Sequence, residues 1–346
     1  MGTQSGSRVL PAPGSGGAKL VKFLTSSVRL GLTAVWQPRA LYREFYKKPE
    51  PLRELPNRAG EVVVLTGGTR GIGLQVLTKL LQSGFHVIMG CRSLLAGGEV
   101  IASIRAVGIT TGSCQVLELD LKSLKSVYTF AATVLQEVDR IDLLINNAGV
   151  MFSPYEITEN GYESQFQVNY LSHFVLTSLL LPRVKETSLR VDKHVACRIV
   201  NVSSVANYGG KIDFDELEEC KVYVSTKAYA DSKLCQILHT RYLDTILRSE
   251  KHIKVNVLAV HPGTIVSELW DNLPRFILVI ANAVKGILQT TEDGANTIIY
   301  TALSPKLEGI GGVYIANCEI VPPNQQVENV HVQQQLWERS LELGKL

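Results

Sequence analysis

The sequence lacks the patterns that mark metal-binding or disulfide-stapled proteins. Its six cysteines are widely scattered and form no C-x-x-C pair. Its seven histidines include no H-E-x-x-H motif and no two at i, i+4. Structural zinc sites and disulfide frameworks in small domains need closely spaced ligands or cysteines. We therefore predict neither a disulfide framework nor a metal site.

The sequence also lacks a long apolar run that is free of charge. The most apolar N-terminal stretch, residues 18–36, is interrupted by Lys22 and Arg29, whereas a spanning helix needs about 20 mostly apolar residues. On a helix, its apolar residues would share one side and its basic residues the other, which favours attachment to an anionic membrane surface. Packing on its own domain and a targeting signal are the alternatives. Whether the segment spans, lies on or ignores a membrane stays open.

Basic charge is concentrated at the N-terminus. Residues 1–60 carry ten basic and three acidic side chains, a balance of +7, so a total of +3 leaves −4 for the remainder. A nucleic-acid-binding domain needs its basic stripe on the folded body, and we therefore predict no nucleic-acid partner. We assign residues 1–59 to a flexible basic extension and residues 60–346 to one domain.

From Glu61 onward, short apolar runs alternate with longer helical patterns, which is typical of an α/β protein. Near-continuous Val/Ile/Leu runs indicate strands buried on both faces. We predict a Rossmann-type, doubly wound, seven-stranded parallel sheet with helices on both faces. The predicted strands are Val62–Thr66, His86–Met89, Gln115–Leu119, Ile141–Ile145, Arg198–Val202, Lys254–Val260 and Gly312–Ile315.

A glycine-rich segment follows the first strand and opens a helix. It runs Thr66-Gly67-Gly68-Thr69-Arg70-Gly71-Ile72-Gly73. Glycines there allow a tight turn and close approach to a pyrophosphate, whose charge sits at the helix N-terminus. The strand before it and the helix after it make this a strong dinucleotide-binding signal.

The cofactor prediction rests on an absence. No Asp or Glu occurs between Gly73 and Gly98, where an acid would hold the ribose hydroxyls of NAD. Arg92 stands there instead, and Arg70 lies within the glycine loop. Guanidinium groups pair with a 2′-phosphate, so we predict NADP(H), with NAD(H) as the second option. Two solvated surface arginines are the structural alternative.

Further polar groups follow later strands. Asp120 follows the third strand, and the segment Asn147-Ala148-Gly149 follows the fourth. Ligands bind at these carboxyl ends in open α/β sheets. A Tyr-x-x-x-Lys spacing occurs twice, at Tyr223…Lys227 and Tyr229…Lys233; only the second opens a long amphipathic helical pattern. Tyr229 and Lys233 would then project from one helix face.

Together these motifs resemble the short-chain dehydrogenase/reductase family over residues 61–341, and within it the retinol dehydrogenase branch. The resemblance implies a catalytic set of Asn169, Ser204, Tyr229 and Lys233. It adds Pro262, Gly263 and Ser267 to the cofactor site, with Tyr229 and Lys233 contacting the cofactor as well. The motifs that carry the resemblance are TGGTRGIG at 66–73, NNAG at 146–149, VNYLSHF at 168–174, NVSS at 201–204, YADSK at 229–233 and HPGTIVSEL at 261–269.

The implied chemistry is hydride transfer with acid–base help. A free tyrosine has a pKa of about 10; the charge of Lys233 and that of oxidised nicotinamide would lower it. Ser204 would hold the substrate oxygen, Lys233 would reach the ribose hydroxyls, and Asn169 would organise a water that relays the proton. An apolar stretch at 272–288, within an expected lid at 266–292, favours a lipophilic isoprenoid-type alcohol or aldehyde. An ordinary core helix is the alternative for this stretch.

These inferences predict an intracellular, membrane-associated oxidoreductase at the endoplasmic reticulum or lipid droplet. Oligomerisation stays open. The main alternative function is a catalytically silent NAD(P)-binding sensor or scaffold; a second is another reaction on the same fold, such as epimerisation. No member of the catalytic set is missing, which favours the enzyme.

Overall fold

The computed structural model describes residues 49–190, 195–214, 223–265 and 289–346. Eight strands form one sheet in the order β3-β2-β1-β4-β5-β6-β7-β8. All neighbouring pairs from β3 to β7 are parallel. The strands are β1 Val62–Thr66, β2 His86–Cys91, β3 Ser113–Glu118, β4 Leu143–Asn146, β5 Cys197–Val202, β6 Val255–His261, β7 Val313–Ala316 and β8 Glu319–Val321.

Helices cover both faces of the sheet. A helical turn at Ser164–Phe166 and a π-helical segment at Gln167–Leu171 lead into α4. The main helices are α1 Gly71–Gln82, α2 Leu94–Ala106, α3 Leu124–Glu137, α4 Ser172–Ser188, α5 Ser225–Ser249, α6 Thr291–Leu303 and α7 Val330–Gly344.

The sheet separates two apolar layers. On one face, α3, α4, α5 and α7 pack over fully buried residues such as Leu144 and Ile199. On the other face, α1, α2 and α6 pack over residues such as Leu65 and Ile145. Neighbours in one strand therefore point to opposite layers and are both buried, as expected of a central parallel strand. The predicted doubly wound architecture is confirmed.

The predicted strand number is wrong by one, because β8 adds an eighth strand antiparallel to β7. The turn between them consists of Asn317 and Cys318, both at positive φ, 49° and 62°. Such a two-residue turn matches the twist of a hairpin. The three-residue β8 has two exposed residues and no apolar run, so hydrophobic patterning does not reveal it.

Several predicted features lie outside the described residues. They include the N-terminal extension up to residue 48 with its segment 18–36, most of the lid at 266–292, and Ser267. Within the described ranges, no helix is long and apolar enough to cross a bilayer. The domain limits and the membrane segment stay predictions.

Candidate active site

The carboxyl ends of β1 and β4 open into one cleft, where strand order reverses on either side of β1. This is where open α/β sheets bind their ligands. Among the residues predicted from the sequence, the cleft brings together Thr66, Gly67, Arg70, Gly71, Ile72, Gly73, Arg92, Asp120, Asn147, Ala148, Gly149, Tyr229, Lys233 and Pro262. Asn169, Ser204 and Gly263 are described but do not line it.

The glycine loop leaves no room for side chains at two positions. A Cβ on Gly67, where φ is 73°, would lie 2.8 Å from the Cα of Ala148. A Cβ on Gly73 would lie 1.9 Å from the Gly67 carbonyl oxygen. The Asn147 amide donates to the carbonyl oxygens of Thr66 and Gly67, at 3.0 and 2.9 Å. The glycine loop and the segment after β4 are therefore closely packed and together form the floor of the cleft.

The N-terminus of α1 suits an anion. The capping residue Arg70 makes no side-chain cap hydrogen bond, whereas Ser93 and Ser123 cap α2 and α3 with their hydroxyls. Uncapped N–H groups at a helix N-terminus attract negative charge. Arg70 and Arg92 line the cleft and are both exposed. The residues present therefore fit a dinucleotide.

Tyr229 and Lys233 line the cleft, and Ser204 lies beside Tyr229 just after β5. Tyr229 and Lys233 are buried one helical turn apart on α5, with the Lys233 Nζ 5.7 Å from the centre of the Tyr229 ring. That Nζ donates to the Val202 carbonyl oxygen at 2.9 Å. The Ser204 side chain is near enough to the Tyr229 phenol to lower its pKa. Phenol, ammonium and hydroxyl thus meet at the end of β5.

The expected lowering of the Tyr229 pKa is not found for the protein alone. Burial raises the Tyr229 pKa to about 12, and only the Ser204 side chain opposes it. Burial also lowers the Lys233 pKa to about 7. Desolvation disfavours the charged form of both groups, and near neutral pH the lysine carries only part of its charge.

The profile of the short chain dehydrogenase family matches residues 61–276, more than half of the chain. This chain belongs to that family. A retinol dehydrogenase 12 of Mus musculus is 38% identical over 82% of this chain and 86% of that protein. A polyprenol dehydrogenase of Danio rerio is 35% identical over 94% of this chain and 98% of that protein. The chain is therefore an NAD(P)-dependent oxidoreductase that acts on CH–OH groups.

Solved structures agree with this fold. An uncharacterised protein from Mycobacterium paratuberculosis is 30% identical, with a TM-score of 0.68, and the match covers 86% of this chain and 98% of that protein. A Pseudomonas aeruginosa RhlG/NADP complex is 24% identical, with a TM-score of 0.60, and the match covers 77% of this chain and 97% of that protein. The second likeness concerns the fold alone.

In this dehydrogenase, Asn169 lies behind the cleft wall and is fully buried, in the π-helical segment before α4. Its side chain accepts from the Val150 N–H at 2.8 Å and donates to the Val150 carbonyl and the Ser232 hydroxyl, both at 3.0 Å. Its own carbonyl oxygen accepts from Gln236 at 2.8 Å. Asn169 thus ties the segment after β4 to α5; its predicted water-organising role stays a prediction.

The last two predicted cofactor residues follow β6. Gly263 is buried beside Pro262 at a φ of 107°, and a Cβ there would lie 1.9 Å from Oε1 of Gln289. The positive φ, which glycine adopts without strain, explains the glycine at this position. Ser267 lies outside the described residues.

Sequence reasoning missed the residues that pack around Tyr229 in this dehydrogenase. The Phe152 ring packs edge-on against Tyr229, with centres 5.2 Å apart, although its backbone has a φ of 53°. Positive φ is strained for a bulky residue. The loop is anchored where the Tyr223 hydroxyl donates to the Ser153 carbonyl at 2.7 Å. A non-glycine residue at positive φ has no sequence signature, so no pattern could have revealed Phe152.

Proposed function

We propose that this dehydrogenase prefers NADP(H) and interconverts a lipophilic, isoprenoid-type alcohol with its aldehyde or ketone. One observation carries the proposal. The Tyr229 phenol, which lies next to Ser204 and one helical turn from Lys233, shares a cleft with the glycine loop and two exposed arginines.

The proposed chemistry divides between the cofactor and the chain. A bound nicotinamide cofactor accepts or supplies the hydride. Ser204 holds the substrate oxygen by hydrogen bonding, which stabilises the charge that develops there. Tyr229 gives its proton to that oxygen in reduction and takes it back in oxidation, a contribution of about 100- to 10,000-fold. Lys233 orients the phenol and binds the ribose hydroxyls.

The raised pKa of Tyr229 has different consequences for reduction and for oxidation of the substrate. With a pKa of about 12, the phenol carries its proton at neutral pH and is ready to donate it in reduction. Oxidation requires the phenolate, which positive charge near the ring stabilises. Lys233 supplies that charge only in its protonated form, and oxidised nicotinamide supplies more.

Arg70 and Arg92 support the cofactor preference. Both are exposed and line the cleft that holds the glycine loop, and β2 ends with Cys91 in place of an acid. Guanidinium groups bind a 2′-phosphate through charge-assisted hydrogen bonds.

The relatives support the substrate class. Two of them are named for retinol and for polyprenol, which are long apolar alcohols. The test measures NADPH consumption with aldehydes and ketones of graded chain length, including all-trans-retinal. We expect kcat/KM to rise with apolar chain length. A flat response contradicts the lipophilic substrate, and no turnover with any compound supports the silent sensor instead.

For the N-terminus we propose attachment to an anionic membrane surface through residues 18–36, which lie outside the described residues. The support is the apolar side of that stretch together with Lys22 and Arg29. The full chain should float with vesicles that contain anionic lipid, and a Lys22→Glu/Arg29→Glu variant should float less. Equal flotation of both proteins contradicts an electrostatic attachment.

A further inference from the structure

A series of buried hydrogen bonds links the cofactor cleft to the segment that carries Asn169. It begins at Thr66, whose Oγ1 accepts from the N–H groups of Asn147 and Ala148, both at 3.0 Å. The same Oγ1 lies 2.9 Å from Nε2 of His173. On the other side of that ring, Nδ1 lies 3.1 Å from the Asn169 carbonyl oxygen. His173 therefore bridges the two sides of the site.

Counting donors and acceptors fixes the state of the ring. A hydroxyl has one proton and two acceptor lone pairs. The two backbone N–H groups fill the lone pairs of Thr66 Oγ1, so its proton points to Nε2 of His173. Nε2 is then the acceptor, and Nδ1 carries the proton that goes to the Asn169 carbonyl. Only the neutral, Nδ1-protonated ring satisfies every partner.

The surroundings of His173 agree with a neutral ring. The side chain is 2% exposed, and burial lowers its pKa to about 4, with the nearby charge of Lys233 acting in the same direction. Its backbone contact with Asn169 opposes this shift.

At the other end of this series of hydrogen bonds, Asn169 is held by several partners. The Asn169 carbonyl oxygen is in contact with both His173 Nδ1 and the Gln236 amide, at 3.1 and 2.8 Å. The Asn169 side chain holds Val150 and Ser232, and Ser232 precedes Lys233 on α5. A shift of His173 would therefore reach both the segment after β4 and the helix of the catalytic pair.

We propose that His173 is a positioning residue that couples the cofactor floor at Thr66 to the Asn169 carbonyl and thereby holds the cofactor in register with Tyr229. The effect on turnover rests on the proposed function. The ring moves no proton in the reaction; it keeps Thr66, which lines the cleft, at a fixed spacing from the buried segment that carries Asn169.

The test compares three variants of the full chain. His173→Leu removes both hydrogen bonds, and we expect kcat with NADPH to fall about 10- to 100-fold, since small misplacements of reacting groups have effects of that size. His173→Gln keeps one donor and one acceptor and should recover kcat to within about 5-fold of the parent.

The matched control is His239 on α5. It is also buried, at 4% exposed, and packs on Phe174 and Trp337; its Nε2 has no hydrogen-bond partner among the described residues. His239→Leu should leave kcat within about 3-fold of the parent even where it changes the melting temperature. Equal loss of kcat in His239→Leu and His173→Leu would overturn the positioning role.

Two further readouts do not depend on turnover. NMR of ¹⁵N-histidine-labelled protein should show His173 protonated at Nδ1 alone from about pH 6 to pH 8. NADPH titration by fluorescence should give a higher Kd for His173→Leu and a near-parental Kd for His173→Gln and His239→Leu. An Nε2-protonated ring, or parental kcat and Kd in folded His173→Leu, overturns the proposal. Failure of the parent to turn over any carbonyl compound contradicts the proposed function instead, and both readouts still test His173.

Discussion

Adding one methyl group at Gly73 should disable the cofactor site. The Cβ of an alanine there would lie 1.9 Å from the Gly67 carbonyl oxygen, where ordinary contact begins at 3.4 Å, so the two must separate by about 1.5 Å. Asn147 donates to that oxygen and to the Thr66 carbonyl. Overpacking costs about 1–3 kcal/mol, and each lost hydrogen bond about 0.5–1.5 kcal/mol. The overpacking and the two lost hydrogen bonds together should therefore cost the native loop about 2–6 kcal/mol.

Because the strain falls on the loop itself, most of this energy should appear as weaker cofactor binding. Each 1.4 kcal/mol is about tenfold in Kd, so we expect the NADPH Kd of Gly73→Ala to rise about 100-fold, measured by fluorescence titration. The control is Gly98→Ala, exposed in α2 with nothing within 4 Å of its added Cβ. That variant should gain about 0.5–1 kcal/mol in unfolding free energy and keep its Kd. A folded Gly73→Ala protein with parental NADPH affinity would refute the reasoning.

Three other predictions follow from the same geometry. Tyr229→Phe should reduce kcat at least 100-fold and leave the NADPH Kd nearly unchanged; full activity would remove the acid–base role. Replacing Arg70 and Arg92 by Gln should raise the KM for NADPH at least tenfold more than that for NADH, and equal changes would refute the preference. Burial lowers the pKa of His173 to about 4 and of His239 to about 3. The unfolded chain therefore takes up protons below about pH 6.5 while the folded one does not, and stability falls as the pH drops. By pH 5 the free energy of unfolding, measured by urea titration, should have fallen by about 2 kcal/mol for each histidine. The total fall should be smaller in His239→Leu, which lacks one of the two histidines.

The central sheet could be predicted from the sequence because its strands are buried on both faces. The predicted first strand, Val62–Thr66, has the same ends as β1. Strand β8 is absent from the predicted strands because it is a short edge strand with two exposed residues and weak apolar patterning.

Many residues of the candidate site could be proposed from motifs that follow strands, Tyr229 and Lys233 from their spacing on a helix, and the rest from the resemblance to the family. The structure brings most of them to one cleft. Their electrostatics could not be predicted, because the spacing of Tyr229 and Lys233 suggests attraction while the pKa values follow from burial. Burial depends on the packing of α5 against the sheet, the π-helical segment and α7, which spacing alone does not reveal.

A polar stripe on a buried helix is the signal that could have revealed the supporting residues. Ser232, Gln236 and Thr240 repeat at intervals of four on α5, and all are at most 2% exposed. Ser232 and Gln236 bond to Asn169, and Thr240 accepts from Asn201 at 2.9 Å. Buried polar side chains persist only where partners satisfy them, so an apolar helix with a regular polar row must face another polar element. Lys233, which lines the cleft, lies next to this row, and the row therefore marks the side of α5 that faces the candidate site.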